Sequence, residues 1–329
     1  MDTELERYLR RSPKPQFSAE LFRAGVTSKF TRDCQAEIYE IGSVGKVFTT
    51  TLLAILDRQG FISINDLVSK FRSDLPFASQ VSLRQLASHT SGLPSNPLTG
   101  IKLVTESYLG MFISSFREED FNRYLRNLRK LRSPGRFRYS NVGMALLGEI
   151  LSSALGTSYE SAVIEHICKP LGMSDTSVAV PQMQGNLVVG HNSKGRPVEP
   201  FKWAGMEAAG VWRSTTGDMM KFLRAMLEYS GDGWRELAGA TTNPVAKVSK
   251  RMAVGLGWLT YKSERSGTLI WHDGGTLGQN AVVAWSQELD SACVLCTNQR
   301  PGLREILLPG RDIGTVAIKI LSGSNAKST

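Results

Sequence analysis

IGSVGKVFTTTLLAILDRQG, residues 41–60, places a buried helix early in the chain. Past Ser43, the apolar residues Val44, Val47, Phe48, Leu52, Leu53, Ile55 and Leu56 cover nearly the whole circumference of a helix. A helix lying on the surface keeps one polar face, so this one belongs inside a domain. Gly60 is its natural C-terminal stop. The first turn carries Ser43-Val44-Gly45-Lys46. A serine there feels the positive end of the helix dipole, and Lys46 projects from the same face one turn later. On an apolar helix the amine is kept from water, which favours its neutral form. A neutral amine beside a hydroxyl is a base beside a nucleophile. A capping serine with a snorkelling lysine would read the same from this tetrapeptide alone.

Outward from this helix, a short amphipathic helix is expected over 2–11, stopped by Pro13 and Pro15. Strand-like runs follow at 17–28 and 34–41. From Asn65 to about Pro200 the text is helical with Pro- and Gly-rich joints. VSLRQLASH, EDFNRYLRNLRKL, VGMALLGEILSSALG and SYESAVIEHICKPLG all show three- and four-residue apolar spacing. After TTGDMMKFLRAMLEY come short strands, VGLGWLTY, TLIWH, NAVVAW and ACVLCTN, separated by turn residues as in an antiparallel meander. A last helix is expected over 312–321. The expected fold class is α/β: an antiparallel sheet formed by both chain ends and flanked by helices, with an inserted, mostly helical subdomain. In residue terms, 1–64 and 205–329 form the α/β part and 65–204 the insertion.

Bulk properties remove several functions. With 41% hydrophobic residues and no run of eighteen apolar positions, the chain reads as globular with no membrane span. The opening MDTELERYLRRSPKP lacks an apolar signal core, so a cytoplasmic location is expected. The net charge of +9 sits largely in Arg7, Arg10, Arg11 and the stretch from Arg123 to Arg138. Neither patch comes with a nucleic-acid module or interleaved stacking aromatics, so no nucleic-acid partner is expected. Cys34, Cys168, Cys293 and Cys296 form no disulfide framework, and the three-residue offset of the last two puts them on opposite faces of a strand. The four histidines lack metal-ligand spacing, and neither a metal nor a cofactor is expected.

Two further segments add chemistry. Tyr139-Ser140-Asn141 precedes a helix and offers a phenol and a carboxamide two residues apart. Trp271-His272-Asp273-Gly274-Gly275-Thr276 ends a strand, where glycines let substrate approach the backbone and an exposed N–H can serve an oxyanion. Singly these are a packing tyrosine and a hairpin turn.

Together, SVGK, YSN and HDG resemble the motif set of the serine β-lactamase-like hydrolases, nearest to class C β-lactamases and their esterase and D-aminopeptidase relatives. The resemblance runs from about Ile41 to Asn298 and includes VSLRQLASHTSGLP, SPGRFRYSNVGMALLG, KPLGMSDT, AAGVWRSTTGDMMKFL and HDGGTLG. It implies that Ser43 attacks a carbonyl to form an acyl-enzyme, with Lys46 and Tyr139 sharing the proton transfers in an unsettled division. Asn141 would hold a substrate amide or tune Lys46. His272 and Gly274 would fill the first and third places of the last motif, and the N–H groups of Ser43 and Gly275 the oxyanion hole. His89 reads as structural.

The implied activity is hydrolysis of a small-molecule ester, amide or peptide bond. The same acyl-enzyme could serve an acyltransferase, and a dead binding protein on this fold is the third reading, opposed by the retained serine and lysine. His272 stands where lactamases carry a lysine for the substrate carboxylate, which points away from a resistance lactamase. The stretch before Ser43 is short for the family, so a smaller sheet or a differently covered edge is expected. Arg123, Arg126 and Arg129 at three-residue spacing read as one helical face leading to Tyr139. Such a rim is a solvated surface or a guide for an anionic substrate or acyl carrier.

Overall fold

Ala24 and Gly25 take φ values of 46° and 86°, the left-handed pair that a tight two-residue hairpin turn requires. They divide the first strand-like run into β1 (Phe17–Arg23) and β2 (Val26–Arg32), where a single strand was expected. The expected shortage of opening strands is therefore corrected: a full hairpin stands at the start of the chain. The computed structural model describes residues 5–6, 16–33, 37–97, 115–180, 186–227, 233–300 and 312–323. Of the helix expected over 2–11, Leu5 and Glu6 are described and helical. The remainder, with Arg7, Arg10, Arg11 and Cys34, lies outside those residues.

In chain order, β3 (Tyr39–Glu40) is followed by a 3₁₀ turn at Gly42–Gly45 and helix α1 (Lys46–Arg58). Among the described residues, α2 (Leu83–Ala87), α3 (Glu118–Asn127), α4 (Asn141–Leu155) and α5 (Tyr159–Val163) come next, the last widening into a π turn over Ile164–Cys168. Short strands β4 (Gly190–His191), β5 (Pro197–Val198) and β6 (Arg213–Ser214) lead to α6 (Thr216–Met226) and α7 (Trp234–Thr242). The meander is β7 (Ala246–Lys247), β8 (Met252–Val254), β9 (Leu259–Ser263), β10 (Gly267–Gly275), β11 (Asn280–Ser286) and β12 (Ser291–Thr297), closed by α8 (Ile313–Ser322). VGLGWLTY is two strands, not one, because Gly257 at φ +73° and a bond from Gly255 N–H to Trp258 O turn the chain between them.

The main sheet has eight strands in the order β2-β1-β12-β11-β10-β9-β8-β7, each pairing antiparallel. The two chain ends meet where β1 lies against β12, Phe17 opposite Thr297 and Arg23 opposite Ser291. The strand period of two assigns each side chain to a layer. Ala281, Val283 and Trp285 of β11 join the core under α1, α4 and α6, whereas Val282 and Ala284 pack in the layer with α8. Cys296 and Cys293 divide the same way, so the two thiols face opposite sides as their spacing required.

Helix α1 is buried from Lys46 to Leu56. Two of its threonines are satisfied from within the protein: Thr50 Oγ1 donates to the carbonyls of Lys46 and Val47, and Thr49 Oγ1 to that of Ala208. Helix α3 departs from expectation by ending at Asn127, since Leu128 leaves helical geometry at ψ 107°. Arg129 and Lys130 thus lie off the helix, and the three arginines do not share one face. Arg123 pairs with Asp120 at 3.0 Å and Arg126 with Asp74 at 2.9 Å. Among the described residues no helix is long and apolar enough to cross a membrane.

Candidate active site

The site grows out of β3. Glu40 is paired with Arg213 of β6, and Ile41 N–H donates to Trp212 O at 3.0 Å, which anchors the chain just before the 3₁₀ turn. Beneath that strand lies a buried ion pair: Arg213 Nη2 is 3.5 Å from Glu40 Oε1, with both side chains almost fully enclosed. The guanidinium also donates to the carbonyls of Val178 (2.7 Å), Val211 (2.9 Å) and Phe201. Gln279 ties the β10–β11 turn to the same strand, accepting from Glu40 N–H at 2.9 Å. A buried charge left without its partner typically costs about 3–5 kcal/mol. Glu40→Ala, which strands Arg213, is therefore expected to lower the urea midpoint by an amount equivalent to about 3–5 kcal/mol. An unchanged midpoint would mean that water reaches the pair.

The turn holding Ser43 is possible because three separate glycines back onto it. Gly42, at φ +52°, takes a left-handed conformation, and a methyl there would lie 2.9 Å from Gly275 N. A methyl on Gly210 would sit 2.9 Å from Ser43 N, and one on Gly274 only 2.1 Å from Ile41 O. Backbone from β3, from the loop before β6 and from β10 thus meets at the nucleophile. The half-buried Ser43 hydroxyl faces Lys46, the first residue of α1.

Lys46 is fully buried. Its Nζ donates to Ser43 Oγ at 2.8 Å and to Ala209 O, and lies 5.0 Å from the centroid of the Tyr139 ring. No ion pair involves it among the described residues. Burial depresses its pKa well below the ordinary lysine value, opposed weakly by the charge of Asp273. Tyr139 hydrogen-bonds Ser43 through its hydroxyl, and burial raises its pKa above the usual phenol value. Ser140 caps α4 by accepting from Gly143 N–H at 2.9 Å, so the helix start fixes both neighbours. Asn141, the first residue of α4, donates from Nδ2 to Asn96 Oδ1 at 2.8 Å; its own Oδ1 is buried with no hydrogen-bond partner among the described residues.

On β10, Ile270 faces the core under α1 and Trp271 faces α8, so alternation turns His272 and Gly274 toward the Ser43 turn. His272 is 3% exposed, and its Nδ1 lies 2.7 Å from Asp273 O. Burial and the charge of Lys46 push its pKa down to about 3, so the ring is neutral. Asp273 takes the other face; burial and repulsion from Asp312 at the start of α8 lift it to about 6. Pairing of β10 with β9 stops at Trp271, leaving residues beyond it on a free edge. Thr276 N–H donates back to Gln279 O at 2.9 Å. Antiparallel alternation then sends Gly275 N–H the other way, off that edge.

Of the sequence-derived set, Ser43, Lys46, Tyr139, His272, Gly274 and Gly275 are therefore gathered around one turn, and Asn141 opens α4 two residues beyond Tyr139 with its contacts to Ser95 and Asn96. Sequence reasoning missed the supports: Glu40, Arg213, Gln279, Gly42 and Gly210. The last stands in AAGVW, a landmark whose glycine could have flagged a backbone approach. His89, read as structural, lies inside the site with its ring centroid 4.6 Å from that of Tyr139.

This architecture is that of the class C β-lactamases: the chain superposes on a class C beta lactamase from Rhodobacter sphaeroides with a TM-score of 0.80, covering 97% of each chain at 18% identity. A family model described as Beta-lactamase matches residues 25–312, and the chain belongs to that family. It is 28% identical over 215 residues to a Beta-lactamase of Providencia stuartii, covering 63% of this chain and 52% of that protein. It is 31% identical over 199 residues to the D-alanyl-D-alanine-carboxypeptidase/endopeptidase AmpH of Escherichia coli, covering 58% of this chain and 49% of that protein. In these matches the chain spans about half the length of its curated relatives.

Proposed function

We propose that the protein is a serine hydrolase that cleaves a neutral ester or amide through an acyl-Ser43 intermediate and is not a resistance lactamase. The observation that carries this reading is the fully buried Lys46 amine, 2.8 Å from Ser43 Oγ with no ion-pair partner among the described residues. Desolvation favours the neutral amine. Neutral, it keeps one hydrogen on Ala209 O and, for reaction, turns its lone pair toward the Ser43 hydroxyl to which Nζ otherwise donates. As Oγ attacks the carbonyl carbon, its proton passes to Nζ and negative charge moves to the carbonyl oxygen, which the N–H groups of Ser43 and Gly275 receive. When the intermediate collapses, the leaving alcohol or amine takes a proton from Tyr139, which is resupplied from Lys46. Water then repeats the sequence on the acyl-enzyme, losing a proton to the amine and restoring Ser43. The raised phenol pKa keeps Tyr139 protonated, as a relay resupplied from Lys46 requires, and a lowered amine pKa suits the base.

Substrate class follows from charge. The third motif brings no cation, since His272 is neutral and Asp273 is an acid. A carboxylate beside the scissile bond finds no partner there. Short-chain p-nitrophenyl esters should therefore turn over measurably, and nitrocefin far more slowly. Rapid nitrocefin hydrolysis without ester cleavage would overturn the assignment. Products formed with added alcohols or amines, in excess of their molar share against water, would redirect it to acyl transfer.

A pH profile tests the proton roles. Because protonated Lys46 cannot accept a proton, kcat/KM should rise with pH through the depressed lysine pKa. His272, titrating at about 3, should contribute no limb above pH ~5. His272→Gln is expected to keep the shape of the profile in that range. A limb between pH ~6 and ~7 that vanishes in His272→Gln would show that the histidine is the titrating base.

A further inference from the structure

The backbone carbonyl of His89 accepts from Arg138 N–H at 2.7 Å, and its ring Nδ1 accepts from Ser140 N–H at 3.2 Å. Those are the two amides that flank Tyr139. The imidazole ring also lies against the phenol ring, with centroids 4.6 Å apart and planes tilted by 35°. One residue therefore holds the tyrosine from three directions. Carbonyl and side chain reach the same segment because His89 sits at φ +57°, a left-handed conformation that few non-glycine residues adopt. The loop around it is fixed independently. Thr90 N–H bonds Gln85 O at 2.9 Å, Gly135 N–H bonds Thr90 O at 2.7 Å, and Ser140 Oγ bonds Pro94 O at 2.6 Å.

An amide N–H can only donate, so Nδ1 must be unprotonated and Nε2 must carry the hydrogen. That Nε2 is buried and has no hydrogen-bond partner among the described residues. A phenylalanine would fill the space without burying an orphan donor, a cost of about 1–3 kcal/mol. What the histidine adds is the Nδ1 acceptor for Ser140. Its neutrality is consistent with burial, which pushes its pKa well down.

We propose that His89 is a positioning residue for Tyr139: it clamps both flanking amides and the ring face so that the phenol hydroxyl stays on Ser43. The clamp rests on the reading of Tyr139 as the proton carrier. A displacement on the order of 1 Å at such a group can cost about a hundredfold in rate.

The test is a double-mutant cycle on p-nitrophenyl acetate, with wild type, His89→Phe, Tyr139→Phe and the double variant. His89→Phe should lower kcat by about tenfold to a hundredfold and leave KM within about twofold. The double variant should be within about threefold of Tyr139→Phe alone, because a clamp has nothing left to position. A residue that merely stabilised the fold would give losses that multiply, and multiplicative losses overturn the clamp. Full activity in Tyr139→Phe would instead remove the reading of Tyr139 as proton carrier, and with it the purpose of the clamp. Should His89→Phe fail to fold, ¹⁵N-histidine NMR of the wild-type protein still decides. Nδ1 is expected to be unprotonated and hydrogen-bonded at neutral pH, and a protonated Nδ1 overturns the proposal.

Discussion

Incubated with p-nitrophenyl acetate or a fluorophosphonate, Ser43→Ala is expected to show neither the covalent adduct nor turnover, read by intact-protein mass spectrometry and by p-nitrophenol release. Loss of a serine nucleophile is worth on the order of 10⁶-fold in kcat where it has been measured, so residual rates should approach background. Lys46→Arg should fall by about 10²–10⁴-fold for a different reason. A guanidinium does not deprotonate in proteins, so it carries a fixed charge into a position with no exposure and cannot take the serine proton. The two variants thus separate nucleophile from base. Ser43→Ala should lose the adduct altogether, whereas Lys46→Arg should form it slowly. An active Ser43→Ala protein labelled at another serine would end this reading of the site. A Lys46→Arg enzyme at near-wild-type rate would leave Ser43 in place and move the base role to Tyr139.

The nucleophile and its base were legible because they break a local rule. A lysine on a helix apolar all round contradicts solvation, and the structure resolves the contradiction by giving it Ser43 Oγ and Ala209 O. The meander was legible from strand period and turn residues. What stayed hidden depended on partners far along the chain. Nothing near Glu40 announces Arg213, and a lone buried glutamate is indistinguishable in sequence from a surface one. The β1–β2 hairpin was missed because its turn uses Ala24 at φ +46°, where Asn or Asp is the usual signal. The basic run after Arg123 misled in the opposite way. Its three-residue spacing imitates a helix face, but the chain leaves the helix at Leu128 and turns at 132–136, with Ser133 and Gly135 at positive φ, before it reaches Tyr139. The stretch just beyond that turn is the one His89 grips, so the local pattern yielded to the geometry needed at the site.

Gly274 and Gly275 make the sharpest contrast that the fold allows, because in sequence they are interchangeable neighbours. A methyl on Gly274 would sit 2.1 Å from Ile41 O, 2.7 Å from Ser43 N and 2.8 Å from Val44 N, all backbone atoms of the turn that carries the nucleophile. Backbone cannot swing aside as a side chain does, so the turn must shift or β10 must move away from it. Either change separates Ser43 N–H from Gly275 N–H, and losing one oxyanion donor typically costs about 10²–10³-fold in kcat. Gly274→Ala is therefore expected to lose at least that much and to unfold at a lower urea concentration. A methyl on Gly275 meets no protein atom closer than 3.9 Å and leaves its N–H in place. Gly275→Ala should hold kcat within about tenfold, since ordinary van der Waals contact carries little strain. Gly239→Ala, in α7 with nothing within 4 Å, is the control for the substitution itself. It should leave activity unchanged and raise stability by about 0.5–1 kcal/mol, the ordinary gain from replacing a helical glycine. Equal losses at positions 274 and 275, with the control intact, would mean that the oxyanion pocket is not built from the contact between β10 and the Ser43 turn. A large loss confined to Gly274→Ala would tie the reactivity of Ser43 to the missing side chain of a strand residue far from it in sequence.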